Sequence, residues 1–410
     1  MAASMSPEEF DLMPAVADVV RHHGRTRPGH AAMSFEGRHT DYATLDAHTN
    51  QIAQALIAAG VKPGEGVAFF GKNSDLYFEI FFGAAKARAF LAPVGWRLAA
   101  NEVAYAIDLA QAKIVFVGAE CAPCLAEALG QTSAKPLVIA MEAGAHDYPL
   151  FEPWRDRAPA IDPALPAASD DTVLLLFTSG TTGRPKGVMI SNGNLLRSRR
   201  AMAENKLGWN EWEAGEVNYV AMPIAHIGGT GWGFVGLLNG VKNVIAREFN
   251  PMEALECIER ERIAKMFMVP AALQFAIRQP RAREIDYSSL RVILYGASPM
   301  PVALLRECIE IFGCDFCQQY GMTETAGTIV YLPPADHDRG SNAACPAPAP
   351  LPGVELRILD AAGNPPPRKC HREIATRSGW LSRLLAQRRE HRWPIGSRWM
   401  AAHWRRRRLC

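Results

Sequence analysis

Residues 172 to 188 read TVLLLFTSGTTGRPKGV, an apolar run that passes without a break into a loop of small, polar and basic residues. The run does not alternate polar with apolar side chains, so a strand here must be covered on both faces. A mostly parallel sheet flanked by helices provides such cover. The loop that follows cannot fill a core. Gly180 and Gly183 let backbone N–H groups come close to a ligand. Thr178, Ser179, Thr181 and Thr182 add hydroxyl donors, and Lys186 adds a mobile positive charge. That assembly suits a polyphosphate. It is not a Walker loop, which needs glycine directly before the lysine where this chain has Pro185. A solvated turn would account for the polarity but not for this series of donors after a buried strand.

The rest of the chain carries the same alternation of helix and strand. Tyr42 to Ala59 has apolar residues at helical spacing and stops at Gly60; GVAFFGKN, from Gly66, supplies a strand and turn; Tyr77 to Ala89 is helical again; Lys113 to Val117 is a short apolar strand. Further strands are expected at Val217 to Ala221, Val241 to Ile245, Lys265 to Val269, Val292 to Tyr295 and Thr328 to Leu332, with helices at Met252 to Arg262 and Val302 to Phe312. Strands separated by helical patterns define an α/β fold. The Pro- and Ala-rich stretch 159–171 has the composition of a linker. A first α/β subdomain is therefore expected over 1–170 and a second, carrying the phosphate loop, over 171–364.

Lys plus Arg number 44 against 42 Asp plus Glu, a net charge of +2 that argues for no anionic partner across the whole surface. Nine cysteines without a signal peptide in MAASMSPEEFDLM point to reduced thiols and a cytoplasmic protein. No apolar run reaches the length of a membrane helix, so no integral membrane association is expected. Cys121 with Cys124 and Cys314 with Cys317 have CxxC spacing. Buried free thiols explain them better than a zinc site, because the pairs lie far apart and no histidine cluster accompanies them.

TSGTTGRPKGV resembles the signature of the adenylate-forming, AMP-binding superfamily, and three more motifs follow in order. MPIAHIGG at 222–229 resembles the family's substrate-site segment, YGASPM at 295–300 its adenine-pocket turn, and QYGMTET at 319–325 its nucleotide and magnesium segment. The resemblance covers roughly residues 10–364 and points to the acyl-CoA synthetase branch. It implies a large N-terminal domain of stacked αβ subdomains plus a β-rich subdomain. It also implies a reaction in which ATP converts a carboxylic acid, expected to be a fatty or other acyl acid, to acyl-AMP before CoA takes the acyl group.

By this resemblance Thr178, Ser179, Gly180, Thr181, Thr182, Gly183 and Lys186 hold the polyphosphate. Gly296, Ala297, Ser298, Tyr320 and Gly321 enclose the adenine, Thr323 meets the α-phosphate, and Glu324 binds Mg²⁺. His226 sits near the carboxyl end of the acid; outside this motif a lone histidine there would be read as structural. Lys186, His226, Thr323 and Glu324 are the expected catalytic set. A homodimer is the family's common state, and nucleic acid is not an expected partner.

Gly231, Gly233 and Gly236 also satisfy GxGxxG, the mark of a dinucleotide-binding oxidoreductase, but Glu248 and Glu253 close no obvious βαβ unit. Asn192 and Ala225 stand where the family commonly has histidine and an aromatic residue. The larger departure is the end of the chain. EIATRS still resembles the family, but the Arg-rich stretch to Cys410 does not. The family's TGD motif, hinge and catalytic lysine are absent as written. Shifting the frame around RWMAAHWRR permits a DGW…TGD pattern, so residues 365–410 are expected to be an out-of-frame tail, in place of the small C-terminal domain. On that expectation thioester formation is impaired. The alternative is a nucleotide- or acyl-binding protein without turnover.

Overall fold

The computed structural model describes residues 5–144, 147–178, 185–337, 348–359, 373–378, 383–385 and 400–402. Among these, seven strands form one sheet in the order Arg383–Leu385, Lys186–Ser191, Thr172–Thr178, Phe90–Val94, Gly66–Phe70, Ile114–Val117 and Leu137–Ala140. Its last five strands run parallel. Phe90–Val94, Gly66–Phe70 and Ile114–Val117 are buried at every position, as strands covered on both faces must be.

A second sheet has nine strands, in the order Ala349–Pro350, Gly327–Leu332, Asp315–Met322, Val292–Gly296, Ile263–Met268, Val217–Val220, Lys242–Ile245, Ala31–Phe35 and Arg38–Asp41. The strands from Asp315–Met322 to Ala31–Phe35 pair in parallel, and antiparallel pairs close both edges. Glu355–Leu359, Glu373–Arg377 and Met400–Ala402 make a third, antiparallel sheet. The short strand Arg383–Leu385 pairs with Lys186–Ser191. Most of 365–410, where the out-of-frame tail is expected, lies outside the described residues.

The two large sheets share a helical layer. Asp75–Lys86 is buried along its whole length, the pattern of a helix with protein on every side. Ser74 caps it, its hydroxyl accepting from Leu76 N–H at 3.2 Å. Tyr77 and Thr230 join it to helix Ile227–Leu238 through a 2.7 Å hydroxyl pair. The Phe81 and Phe234 rings meet edge to face at 6.2 Å.

The expected division at residue 170 does not follow sheet membership. The hairpin Ala31–Phe35 and Arg38–Asp41 belongs to the nine-stranded sheet beside Lys242–Ile245. Thr172–Thr178 completes the sheet begun by Gly66–Phe70 and Phe90–Val94. Pairing between distant segments leaves no mark on local periodicity. The stretch 159–171 is likewise anchored: Asp162 takes Arg21 at 2.6 and 2.8 Å, and Asp171 takes Arg88 at 2.9 and 3.1 Å. Among the described residues no helix is long and apolar enough to cross a membrane.

Candidate active site

The parallel strands of the nine-stranded sheet end on one side at a cavity of about 420 Å³. Met222 and Pro223 follow strand Val217–Val220, Val269 follows Ile263–Met268, Ala297 follows Val292–Gly296, and Gln319 to Glu324 lie at the end of Asp315–Met322. Ligand sites in open α/β sheets form at such carboxyl ends. Thr178, the last residue of its strand in the other sheet, completes the wall.

His226 caps helix Ile227–Leu238 with its backbone. Its carbonyl accepts from Gly229 and Thr230 N–H at 3.0 and 3.1 Å, its side chain makes no cap bond, and the residue lines the cavity. Enclosure by the wall holds the imidazole below its ordinary pKa, so the neutral ring predominates at pH 7. The segment before it is pinned from the other sheet's side. Asn73 accepts from Ile224 N–H at 3.0 Å and donates to the carbonyls of Met222 and Ala246 at 3.2 and 3.0 Å.

Thr323 and Glu324 ride on a 3₁₀ turn, Thr323–Thr325, whose hinge is the buried Thr325. Its hydroxyl accepts from Met322 N–H at 3.0 Å and gives its one proton to the carbonyl of Met322 or Gly327, at 2.9 and 2.6 Å. Ala326 then turns at φ +52°, and Ala297, across the cavity, sits at φ +64°. Non-glycine residues in this region are held there by their surroundings, and such positions cluster at functional sites. Thr328 donates to Gln319 at 2.9 Å and steadies the same wall.

Six expected site residues therefore line one cavity: Thr178, His226, Ala297, Gly321, Thr323 and Glu324. Lys186 stands opposite Thr178 in the strand pairing, at the mouth of the loop. Ser179, Gly180, Thr181, Thr182 and Gly183 lie outside the described residues. Gly296, Ser298 and Tyr320 adjoin the wall without being part of it. Gly296 has no room for a side chain, because the Gln319 carbonyl lies against it; the Gly327 carbonyl crowds Gly321 in the same way.

The glycines around His226 divide into two kinds. Gly228 and Gly231 line the cavity, and a Cβ on Gly228 would lie 2.9 Å from the Phe267 ring. Gly233 and Gly236 serve packing instead, against Phe78 and against Asn243. Gly231, Gly233 and Gly236 all lie inside helix Ile227–Leu238 rather than in a strand-to-helix turn, which excludes the dinucleotide reading. Cys121 and Cys124 lie on the turn Ala119–Cys121 and the helix Ala122–Leu129, far in the fold from Cys317 in strand Asp315–Met322; burial pushes the Cys121 thiol up to about 12 and raises that of Cys317.

The cavity also holds a residue that motif reading missed, Arg199 on helix Asn192–Glu204. Helical spacing could have revealed it. Arg199 falls four residues after Leu195 and three before Met202, both buried, so it lies in that helix's apolar stripe.

The chain belongs to the AMP-binding enzyme family, which matches residues 20–384. Two curated relatives set its neighbourhood. It is 36% identical over 342 residues to the fatty acid–[acyl-carrier-protein] ligase ScoC of Streptomyces coeruleorubidus, covering 83% of this chain and 64% of that protein. It is 32% identical over 346 residues to a feruloyl-CoA synthase of Amycolatopsis, covering 84% and 66%. The chain thus spans just under two thirds of these relatives' length. Its fold matches the N-terminal domain of FACL13 from Mycobacterium tuberculosis, with a TM-score of 0.80 at 24% identity and 95% of each chain covered.

Proposed function

We propose that this protein activates a carboxylic acid with ATP as the first half of an acid:CoA ligase reaction. The observation that supports this most is the convergence of four separate segments, ending in Thr178, His226, Ala297 and Thr323–Glu324, on one cavity at the strand ends. In the first step a carboxylate oxygen bonds to the α-phosphorus of ATP, the bond to the bridging oxygen breaks, and pyrophosphate leaves. Lys186 and the loop after Thr178 would hold the departing phosphates, and Thr323 would donate to the α-phosphate, where charge builds. Neutral His226 would border the acid's carboxyl end. In the second step the sulfur of CoA attacks the acyl carbon, loses its proton, and AMP leaves.

Glu324 would bring Mg²⁺ to the phosphates. Its carboxylate is on the cavity wall, and the described residues contain no cluster of three or more metal-ligating side chains. That donor set fits a hard cation held by one carboxylate together with phosphate oxygens and water, which would neutralise phosphate charge.

Acid-dependent exchange of labelled pyrophosphate into ATP, run over a panel of carboxylic acids, tests the first step. AMP release that depends on CoA tests the second, with an acyl-carrier protein as the competing acceptor. Binding of ATP without exchange for any acid would replace this reading with that of a binding protein. A homodimer, carried over from the family resemblance, and a cytoplasmic location, inferred from the cysteine usage, are checked by light scattering and fractionation.

A further inference from the structure

Among the described residues, the other buried cations are matched. Lys86 meets Asp46 and Asn50, Arg155 meets Glu79 at 2.9 Å, and Lys265 donates to the carbonyls of Trp209 and Glu211. Arg200, next to Arg199 in the chain, pairs with Asp11 and Glu204. Arg199 differs. The residue as a whole is only partly buried, but its Nε is enclosed without a hydrogen-bond partner, and among the described residues no carboxylate forms an ion pair with the guanidinium. Burial alone acts on it and pushes its pKa down to about 10, still high enough to keep it charged at neutral pH.

The position of this charge gives it meaning. Arg199 is part of the wall of the candidate active-site cavity, where its Nη2 would lie 3.9 Å from a Cβ placed on Gly327. Much of the surrounding wall is apolar: Met222, Ile227, Trp232, Phe267 and Met322. Arg199 also borders a smaller crevice of about 220 Å³ lined by Met5 and Phe10. A cation that burial disfavours and no internal anion offsets is costly to retain in an apolar wall. A bound anion removes that cost, and the planar guanidinium suits a carboxylate, which it can grip with two parallel N–H donors.

We propose that the acid accepted by this cavity carries a second carboxylate, which Arg199 binds across the apolar wall. Arg199 is then the residue that selects diacids over monoacids. This rests on the reading of the cavity as an acid-binding site.

The test compares a series of α,ω-dicarboxylic acids with monocarboxylic acids of the same length ending in methyl. Two readouts are used on the full chain: direct binding of each acid by calorimetry, and acid-dependent pyrophosphate exchange. The best diacid should exceed its monoacid partner by about 100-fold in affinity or in kcat/KM, the size of discrimination a site gains when its polar group would otherwise be left unpaired. Arg199→Met should bring that ratio close to one, and Arg199→Lys should restore part of it.

Exchange with monoacids at least as good as with diacids in the unaltered protein would overturn the proposal while leaving the ligase reading intact. Arg199-dependent binding of diacids without exchange would do the reverse. No binding of any diacid would also overturn it. Because the diacid preference is first measured in the unaltered protein, poor folding of Arg199→Met cannot shield the idea.

Discussion

The Phe78 ring, on the buried helix Asp75–Lys86, occupies the space that a side chain on Gly233 would need: a Cβ built there collides with its Cζ. Both residues are fully enclosed by the two sheets. Gly233→Ala is therefore expected to destabilise the protein by about 1–3 kcal/mol, the usual range for overpacking, despite alanine's better helix propensity. Urea unfolding reads this directly. An unchanged midpoint would show that the helices can separate freely and that the interface is looser than its geometry states.

Thr325 holds the turn that presents Thr323 and Glu324 without touching the cavity itself. Thr325→Val keeps the volume and removes the hydroxyl, leaving the Met322 N–H and the Gly327 carbonyl without it. A stability loss of about 1–3 kcal/mol is expected from the unsatisfied groups. The same change should raise the Mg²⁺ concentration needed for half-maximal exchange, by about 10-fold. Lost stability with an unaltered Mg²⁺ requirement would confine Thr325 to a structural role.

The buried strands were legible because the parallel sheets cover both faces, so Thr172–Thr178 and Val292–Gly296 appear as unbroken apolar runs. Helix Val302–Phe312 was legible from its spacing, and in the structure Gly313 ends it at φ +59°. The grouping of strands into sheets was not. Nothing local in Ala31–Phe35 announces Lys242–Ile245 as its neighbour, more than 200 residues away. At the site, the hydroxyls, glycines and charge of the loop after Thr178 stood out as chemistry, while His226, Thr323 and Glu324 were singled out by motif resemblance; all four residues line the one cavity. Arg199 was hidden among the arginines of RSRR, where a charge is ordinarily taken as solvated. Asn73 was invisible because its role is to hold a backbone 149 residues further on.

Glu324→Gln removes the carboxylate from the cavity wall while keeping its shape. Pyrophosphate exchange should fall on the order of 100-fold, in line with the loss of one electrostatic contact to transferring phosphate. Lys186→Ala should weaken ATP binding and exchange together, because its charge is proposed to act on the phosphates before and during transfer. Full retention of exchange in either variant would displace these residues from the site.

His23 offers a test of the fold through pH. It is fully buried in helix Val16–Thr26, and its Nε2–H donates to the Leu238 carbonyl at 2.9 Å, while its Nδ1 is buried without a partner. A second proton would have no acceptor, and burial pushes the pKa down to about 3. The unfolded chain takes up that proton near pH 6.5, the folded chain only near 3. In that window the unfolded state binds more protons, so stability falls as pH falls from 6.5 towards 3 and is unaffected by this group above it. Between pH 7 and pH 4 the contribution is about 3 kcal/mol. His23→Leu cannot titrate; it should be less stable at pH 7 through the lost hydrogen bond to the Leu238 carbonyl, yet lose less with acid, so that the two unfolding curves converge as pH drops. Parallel curves would mean that His23 is already solvated in the native protein.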